Sequence, residues 1–259
     1  MTWQGRVRTW QLTLLVLVLA GWELGAATGL IDPFFLPRPS AILRRVVAWA
    51  GSADVYNDLA ITLTETVLAF GIGTLLGVAA GLWLALAPFA AAVADPFIKA
   101  LNALPRVILA PIFALWFGLG ILSKVALGVT LVAFVAFFNT YQGVKEVNPV
   151  VVANAQILGA GRGAMLRHVY LPAAATWILS SLRASIGFAV IGAVVGEYLG
   201  SAAGIGHRIA EADGLFDAVG VFAGMTVLSA FVLLLDGCVS LLERRLVTWR
   251  APALNANQG

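Results

Sequence analysis

The sequence predicts an all-α integral membrane protein of about six transmembrane helices. Hydrophobic residues make up 61% of the 259 and charged residues only 11%, against about 45–50% and about 25% in a soluble domain. A soluble fold of this size has no way to hide so much apolar surface. Six runs stay apolar for about 20 residues, the length a helix needs to cross the hydrocarbon of a bilayer. None shows the ten-residue alternation of a membrane barrel strand. The net charge of +3 gives no argument for a nucleic-acid partner, and the lone Cys238 excludes an intrachain disulfide.

The first span is expected over Thr9–Leu30. Arg6 and Arg8 followed by "LTLLVLVLAGW" resemble a signal peptide, but further spans follow, so the segment is read as a helix that stays. The second span covers Leu59–Ala87, where Gly73, Gly77 and Gly81 lie four apart and form a small-residue face for close helix packing. Ala184, Gly187, Gly192 and Gly196 suggest a similar face in the fifth span. The third, Val93–Phe117, is expected to be broken by Pro105 and Pro111. The fourth covers Leu122–Tyr141, the fifth Ala173–Leu199 and the sixth Ala218–Leu242. Between the first two spans, Ser40–Trp49 reads as an amphipathic helix lying in the membrane interface or packed on its own protein. Ser40 is its expected N-cap.

Six spans put both termini on one side. That side holds Arg6, Arg8, Lys145, Arg162, Arg167, Arg244, Arg245 and Arg250; the other holds Arg38, Arg44, Arg45, Lys124 and Arg208. Eight basic residues against five place both termini in the cytoplasm of a multi-pass plasma-membrane protein. Residues 1–8 are then a cytoplasmic N-terminus, 9–244 the membrane domain and 245–259 a cytoplasmic tail. The stretch "GIGHRIAEADGLFD" falls outside and reads as a polar, exposed turn.

Ionisable groups at bilayer depth are expensive and therefore candidates for function. Glu23 and Glu197 lie near span ends, where solvent reaches. Lys99 can snorkel to the boundary. Glu65 sits about two turns inside the outer face. Arg183, about three turns into the fifth span, is read as structural, against the cytoplasmic loop. Arg106 adjoins Pro105 with Pro111 close behind. Broken helices line cavities, and an arginine there offers bidentate hydrogen bonds to an anion. Pro105, Arg106, Pro111 and Glu197 form the candidate pathway set. The sequence lacks a phosphate-binding P-loop, an H-E-x-x-H motif, metal-ligand spacing and a nucleophile elbow, so catalysis on this chain is not expected.

The longest cytoplasmic interruption, about 145–172, contains "NAQILGAGRGAMLRHVYLP". Asn148-Pro149 opens a short helix, Gly159 ends it, and Gly161 and Gly163 allow a turn or close approach of another backbone. Arg162 and Arg167 add positive charge. From the residues alone, a docking loop and a plain loop are equally supported.

Ala155, Leu158, Gly159, Ala160 and Leu171-Pro172 match the EAA loop of permease subunits of ABC importers, which this segment resembles. Ala153 stands where that pattern has Glu, and Asn154 where it has Ala, which removes one expected polar contact. Elsewhere "LPRPSAIL", "LPRVILAPIFALWFGLG", "SKVAL", "FFNTYQGVKEVNP", "LRASIGFAVIGAVVGEYLG" and "GIGHRI" are similar to the nitrate/sulfonate/taurine branch of those permeases. The resemblance implies a coupling helix within Val151–Gly163, with Ala153, Asn154, Ala155, Gln156, Leu158, Gly159, Ala160, Gly161, Arg162, Arg167, Leu171 and Pro172 as the ATPase-coupling loop. It also implies two cytoplasmic ATPase subunits, a periplasmic or extracellular substrate-binding protein and a second permease copy. No cofactor is expected on this chain, with ATP and Mg on the ATPase. The implied cargo is a small anion such as a sulfonate, nitrate or bicarbonate. The alternatives are a vitamin precursor or, without partners, a self-sufficient secondary transporter.

Overall fold

The computed structural model describes residues 3–246. Arg250 and the expected tail lie outside the described residues, as do the side chains of Arg244 and Arg245. The helices are α1 (Trp3–Ala27), α2 (Pro39–Ala50), α3 (Ala53–Leu86), α4 (Pro88–Ala103), α5 (Leu109–Phe117), α6 (Ile121–Lys145), α7 (Pro149–Ile157), α8 (Arg162–Met165), α9 (Leu171–Leu199), α10 (Ile205–Gly214) and α11 (Ala218–Leu246). Five of the six expected spans are long, apolar helices. The other, α4 with α5, is bent by 78°.

The core is the triplet α3, α6 and α9, and small residues build it. A Cβ on Gly73 would lie 2.7 Å from Val132 Cβ, one on Gly77 2.3 Å from the Ala133 carbonyl oxygen, and one on Gly81 2.8 Å from the Phe137 carbonyl oxygen. Both helices advance together, so α3 and α6 run parallel with their backbones in contact, as expected where hydrocarbon supplies no hydrophobic drive. On the other side Gly196 meets Lys124, Gly192 meets Gly128 and Trp177 meets Gly143. That register runs backwards, so α9 is antiparallel to α6. Gly187, grouped with this face from the sequence, points into open space instead.

Parallel α3 and α6 settle the role of the bent pair. The chain leaves α3 at one face and enters α6 at the other, so α4 and α5 together make one crossing. Counted this way, the described residues make six crossings, so the start of α1 and the end of α11 lie toward one face. The break falls at Pro105. Leu104 is extended at φ −69° and ψ 130°, as the residue before proline prefers, and Arg106–Ile108 form a 3₁₀ turn. Pro111 is not a second break. It occupies the first turn of α5, where its missing N–H is not needed.

Two segments read as external from the sequence depart from expectation. Helix α2 begins at Pro39 with Arg38 in the cap position, so Ser40 is inside the first turn rather than the cap. Its N–H and hydroxyl instead reach the Glu23 carboxylate of α1, at 3.0 and 2.8 Å. Helix α2 packs on α11, with Ile42 buried, Arg45 paired at 2.7 Å with Asp217 just before α11, and Leu43 and Val47 exposed. The stretch read as a solvated turn is helix α10, with Ile205, Ile209 and Ala212 buried against the bundle.

Candidate functional site

The loop between α6 and α9 is a structured projection. Asn148 accepts the Val150 N–H at 2.9 Å and Pro149 takes the first helical position, which starts α7. At the other end Gly159 donates to the Gln156 carbonyl at 2.9 Å and Ala160 to the Ala155 carbonyl at 3.0 Å. These two bonds form a Schellman ending, which needs a left-handed residue, and Gly159 supplies it at φ 81°. A Cβ on Gly159, Gly161 or Gly163 would meet nothing within this chain. The first glycine is there for its backbone angle.

Beyond Gly161, α8 leads through a widened π turn over Leu166–Tyr170 into α9. The wide turn sits directly before Leu171-Pro172, where the proline ring would collide with an ordinary preceding helical turn. Of the residues singled out here, Ala153, Asn154, Gln156, Leu158, Gly159, Gly161, Arg162, Arg167, Leu171 and Pro172 are exposed, while Ala155 and Ala160 are half-buried. Ile157 is 83% exposed and Leu158 86% exposed. They make an exposed apolar tip at the end of α7. Between this segment and the end of α3 lies a cavity of about 520 Å³ lined by Trp83, Gln156, Arg162, Met165 and Tyr170.

The pathway candidates separate. Arg106 donates to Asn102 Oδ1 at 2.7 Å and stacks over the Phe134 ring at 4.1 Å, with its Nε left without a hydrogen-bond partner among the described residues. The guanidinium is thus held in the elbow of α4 and α5, beside α6. Glu197 is elsewhere. It was expected near solvent, yet it is fully buried. Its Oε1 accepts the Thr62 hydroxyl at 2.6 Å and its Oε2 the Gly206 N–H at 2.7 Å.

Residues that sequence reasoning had assigned to loops or left without partners join Glu197. Asp58 accepts the Gly204 N–H at 2.9 Å and the Arg208 Nε at 2.7 Å. Thr62 accepts the Ile205 N–H at 3.1 Å. Glu65 and Lys124 are each 1% exposed in the same region, and the Lys124 ammonium donates to the Leu119 and Gly120 carbonyls. Lys124, expected at the external end of the fourth span, and Arg208, expected in an external loop, are built into the bundle. Their signal was the sequence spacing of Asp58, Thr62 and Glu65, which places all three on one face of α3. Arg183 reaches α11 rather than the cytoplasmic loop, donating to Ser240 at 2.6 Å with Asp236 at 3.9 Å. Lys99 pairs with Asp95 one turn back at 2.6 Å.

Residues 73–248 match the family described as the inner membrane component of binding-protein-dependent transport systems. The chain is 32% identical over 242 residues to the taurine transport system permease protein of Escherichia coli, covering 92% of this chain and 88% of that one. It is 30% identical to a putative aliphatic sulfonates transport permease protein of Bacillus subtilis, covering 92% and 87%. It is 34% identical to a formylaminopyrimidine transport permease protein of Halalkalibacterium halodurans, covering 92% and 93%. Among solved structures, a bacterial alginate ABC transporter superposes with a TM-score of 0.64 at 16% identity, over 95% of this chain and 98% of that one. The MetNI methionine ABC transporter, facing inward, gives 0.64 at 16% over 74% and 95%.

Proposed function

The chain belongs to the inner-membrane components of binding-protein-dependent transport systems, and on that footing we propose how its parts divide the work. It is the permease subunit of an ABC importer and not an enzyme. An ATPase and a substrate-binding protein are its partners. Helix α7 with its Gly159 ending and α8 is the coupling loop, gripped by one of two cytoplasmic ATPase subunits that carry the ATP and Mg. Two copies of the permease form the pathway. Both termini face the cytoplasm, and the residues up to the first span and beyond the last are short cytoplasmic ends.

The single observation that carries this reading is the exposed Ile157–Leu158 tip on a helix fixed at both ends, between two long spans. Nucleotide-driven closure of an ATPase pair would move that tip, and α8 is continuous with α9, so the motion enters the bundle. The experiment is co-purification of the permease with its ATPase, comparing wild type with Leu158→Asp. The mutant should lose the ATPase while remaining a permease dimer. Retention of the ATPase at wild-type yield removes α7 from the coupling role.

The cargo we propose is a small anion of the sulfonate class, with Arg106 at the elbow as the group that meets it. Two relatives named for sulfonate and taurine transport support the class. Arg106→Gln should reduce uptake of a sulfonate such as taurine in reconstituted vesicles without loss of assembly, and unchanged uptake would remove Arg106 from the pathway. A relative named for formylaminopyrimidine transport supports a second reading, a small neutral heterocycle. On that reading the Arg106 variant transports normally.

A further inference from the structure

The polar residues around Glu197 do more than fill an interior. The N-terminus of a helix has N–H groups with no partner in the helix itself. At α10 three successive ones, on Gly204, Ile205 and Gly206, are taken by buried side chains from other helices: Asp58 and Thr62 on α3 and Glu197 on α9. The fit leaves no room for side chains on the glycines. A Cβ on Gly204 would lie 2.3 Å from the Glu197 carboxyl carbon, and one on Gly206 2.4 Å from the Val194 carbonyl oxygen.

Apolar contacts of Ile205 and Ile209 with Val55 already bury α10. Buried acids are costly, so the polar joint adds directional geometry rather than cheap stability. Its position gives that geometry a use. From Arg162 to Leu199 the chain is one helical rod of 38 residues, about 57 Å long at 1.5 Å per residue. One end begins at the coupling loop. The other carries Glu197 and, through it, α10. Just past the end of α10 stand Leu215 and Phe216, 73% and 77% exposed, with Phe216 at φ 55°, an angle that a bulky residue seldom adopts.

We propose that Glu197 is a positioning residue that joins α10 and α9 into one lever, so that a load on the external Leu215–Phe216 tip is delivered to the coupling loop. The inference rests on the importer reading, with the binding protein as the source of that load. Thr62 is the second half of the joint, because its hydroxyl both donates to Glu197 and accepts from Ile205. In Glu197→Gln only one acceptor oxygen remains, so the side chain can no longer accept from both Thr62 and Gly206. In Thr62→Val the hydroxyl's contacts with Glu197, Ile205 and the Asp58 carbonyl all go, with little change of shape.

The test uses the permease–ATPase complex in lipid nanodiscs, with ATP hydrolysis measured as its loaded binding protein is titrated in. Wild type should be stimulated. Both variants should keep wild-type basal hydrolysis and the same half-saturating concentration of binding protein, while maximal stimulation falls about fivefold or more, the low end of ordinary coupling between sites. Full stimulation in either folded variant overturns the lever. So does an equal fall in basal and stimulated rates, which is the signature of general damage. If wild type itself neither holds the ATPase nor responds to the binding protein, the importer reading fails first. If Glu197→Gln does not assemble, Thr62→Val alone decides.

Discussion

Gly77 and Gly187 lie in membrane helices, and the structure assigns them opposite sensitivities. A side chain on Gly77 would meet the Ala133 carbonyl oxygen at 2.3 Å and Ala136 Cβ at 2.7 Å, so Gly77→Val must push α3 off α6. Overpacking of this kind costs about 1–3 kcal/mol, and thermal unfolding in detergent should show a midpoint lowered by several degrees. Nothing lies within 4 Å of a Cβ on Gly187, so Gly187→Ala should raise stability by about 0.5–1 kcal/mol through helix propensity. Gly159 is a third case. Its φ of 81° disfavours any side chain although space is open. Gly159→Ala should cost about 1–2 kcal/mol, confined to the loop, and hydrogen exchange at the Ala160 amide should report it while the spans stay protected. The four-residue glycine spacing in α3 was readable in the sequence because helical packing of small residues has a fixed period. The difference between Gly187 and Gly192 was not, since it depends on which face of α9 meets α6.

Among the elements, α10 is attached by a charge pair as well as by its N-terminal bonds. Asp58 and Arg208 are 10% and 22% exposed at the side chain, so Arg208→Gln leaves a nearly buried carboxylate short of its partner. The expected loss is on the order of 3 kcal/mol, recovered in part by adding Asp58→Asn, as measured by a double-mutant cycle on thermal or denaturant unfolding. Helix α1 hangs on the bundle more loosely, through Glu23 to Ser40 and through Trp22 against Phe222 at 6.2 Å. Glu23→Ala should speed proteolytic cleavage in the connection to α2 and leave the α3–α6–α9 core intact. Five long spans, the break at Pro105 and both ends of α7 were legible, because length, proline and the Asn–Pro and glycine signals act locally. Helix α10 was hidden. Its partners stand at residues 58, 62 and 197, and a stretch rich in glycine and acids reads as a turn until those long-range acceptors are known. Ser40 misled for the same reason: its stabilising oxygen comes from another helix, 17 positions earlier.

For the molecule as a whole, parallel α3 and α6 demand six crossings, which makes topology testable with one label at a time. In a Cys238→Ser background, the cysteine of Gly161→Cys should react with an impermeant maleimide only after the membrane is opened, and that of Ala202→Cys should react in intact cells. Labelling of both from the same side contradicts the six-crossing order. The joint at α10 has a consequence for how the chain is made. Asp58 and Thr62 enter the membrane with α3, yet the backbone groups that complete them lie at Gly204 and Ile205. Through most of synthesis these side chains wait in the bilayer without their final partners, a state that hydrocarbon penalises. Biogenesis therefore reaches its stable form late, in a single closing step as the last third emerges. A nascent chain halted before residue 204 would present unsatisfied acids to lipid, a ready mark for quality-control proteases.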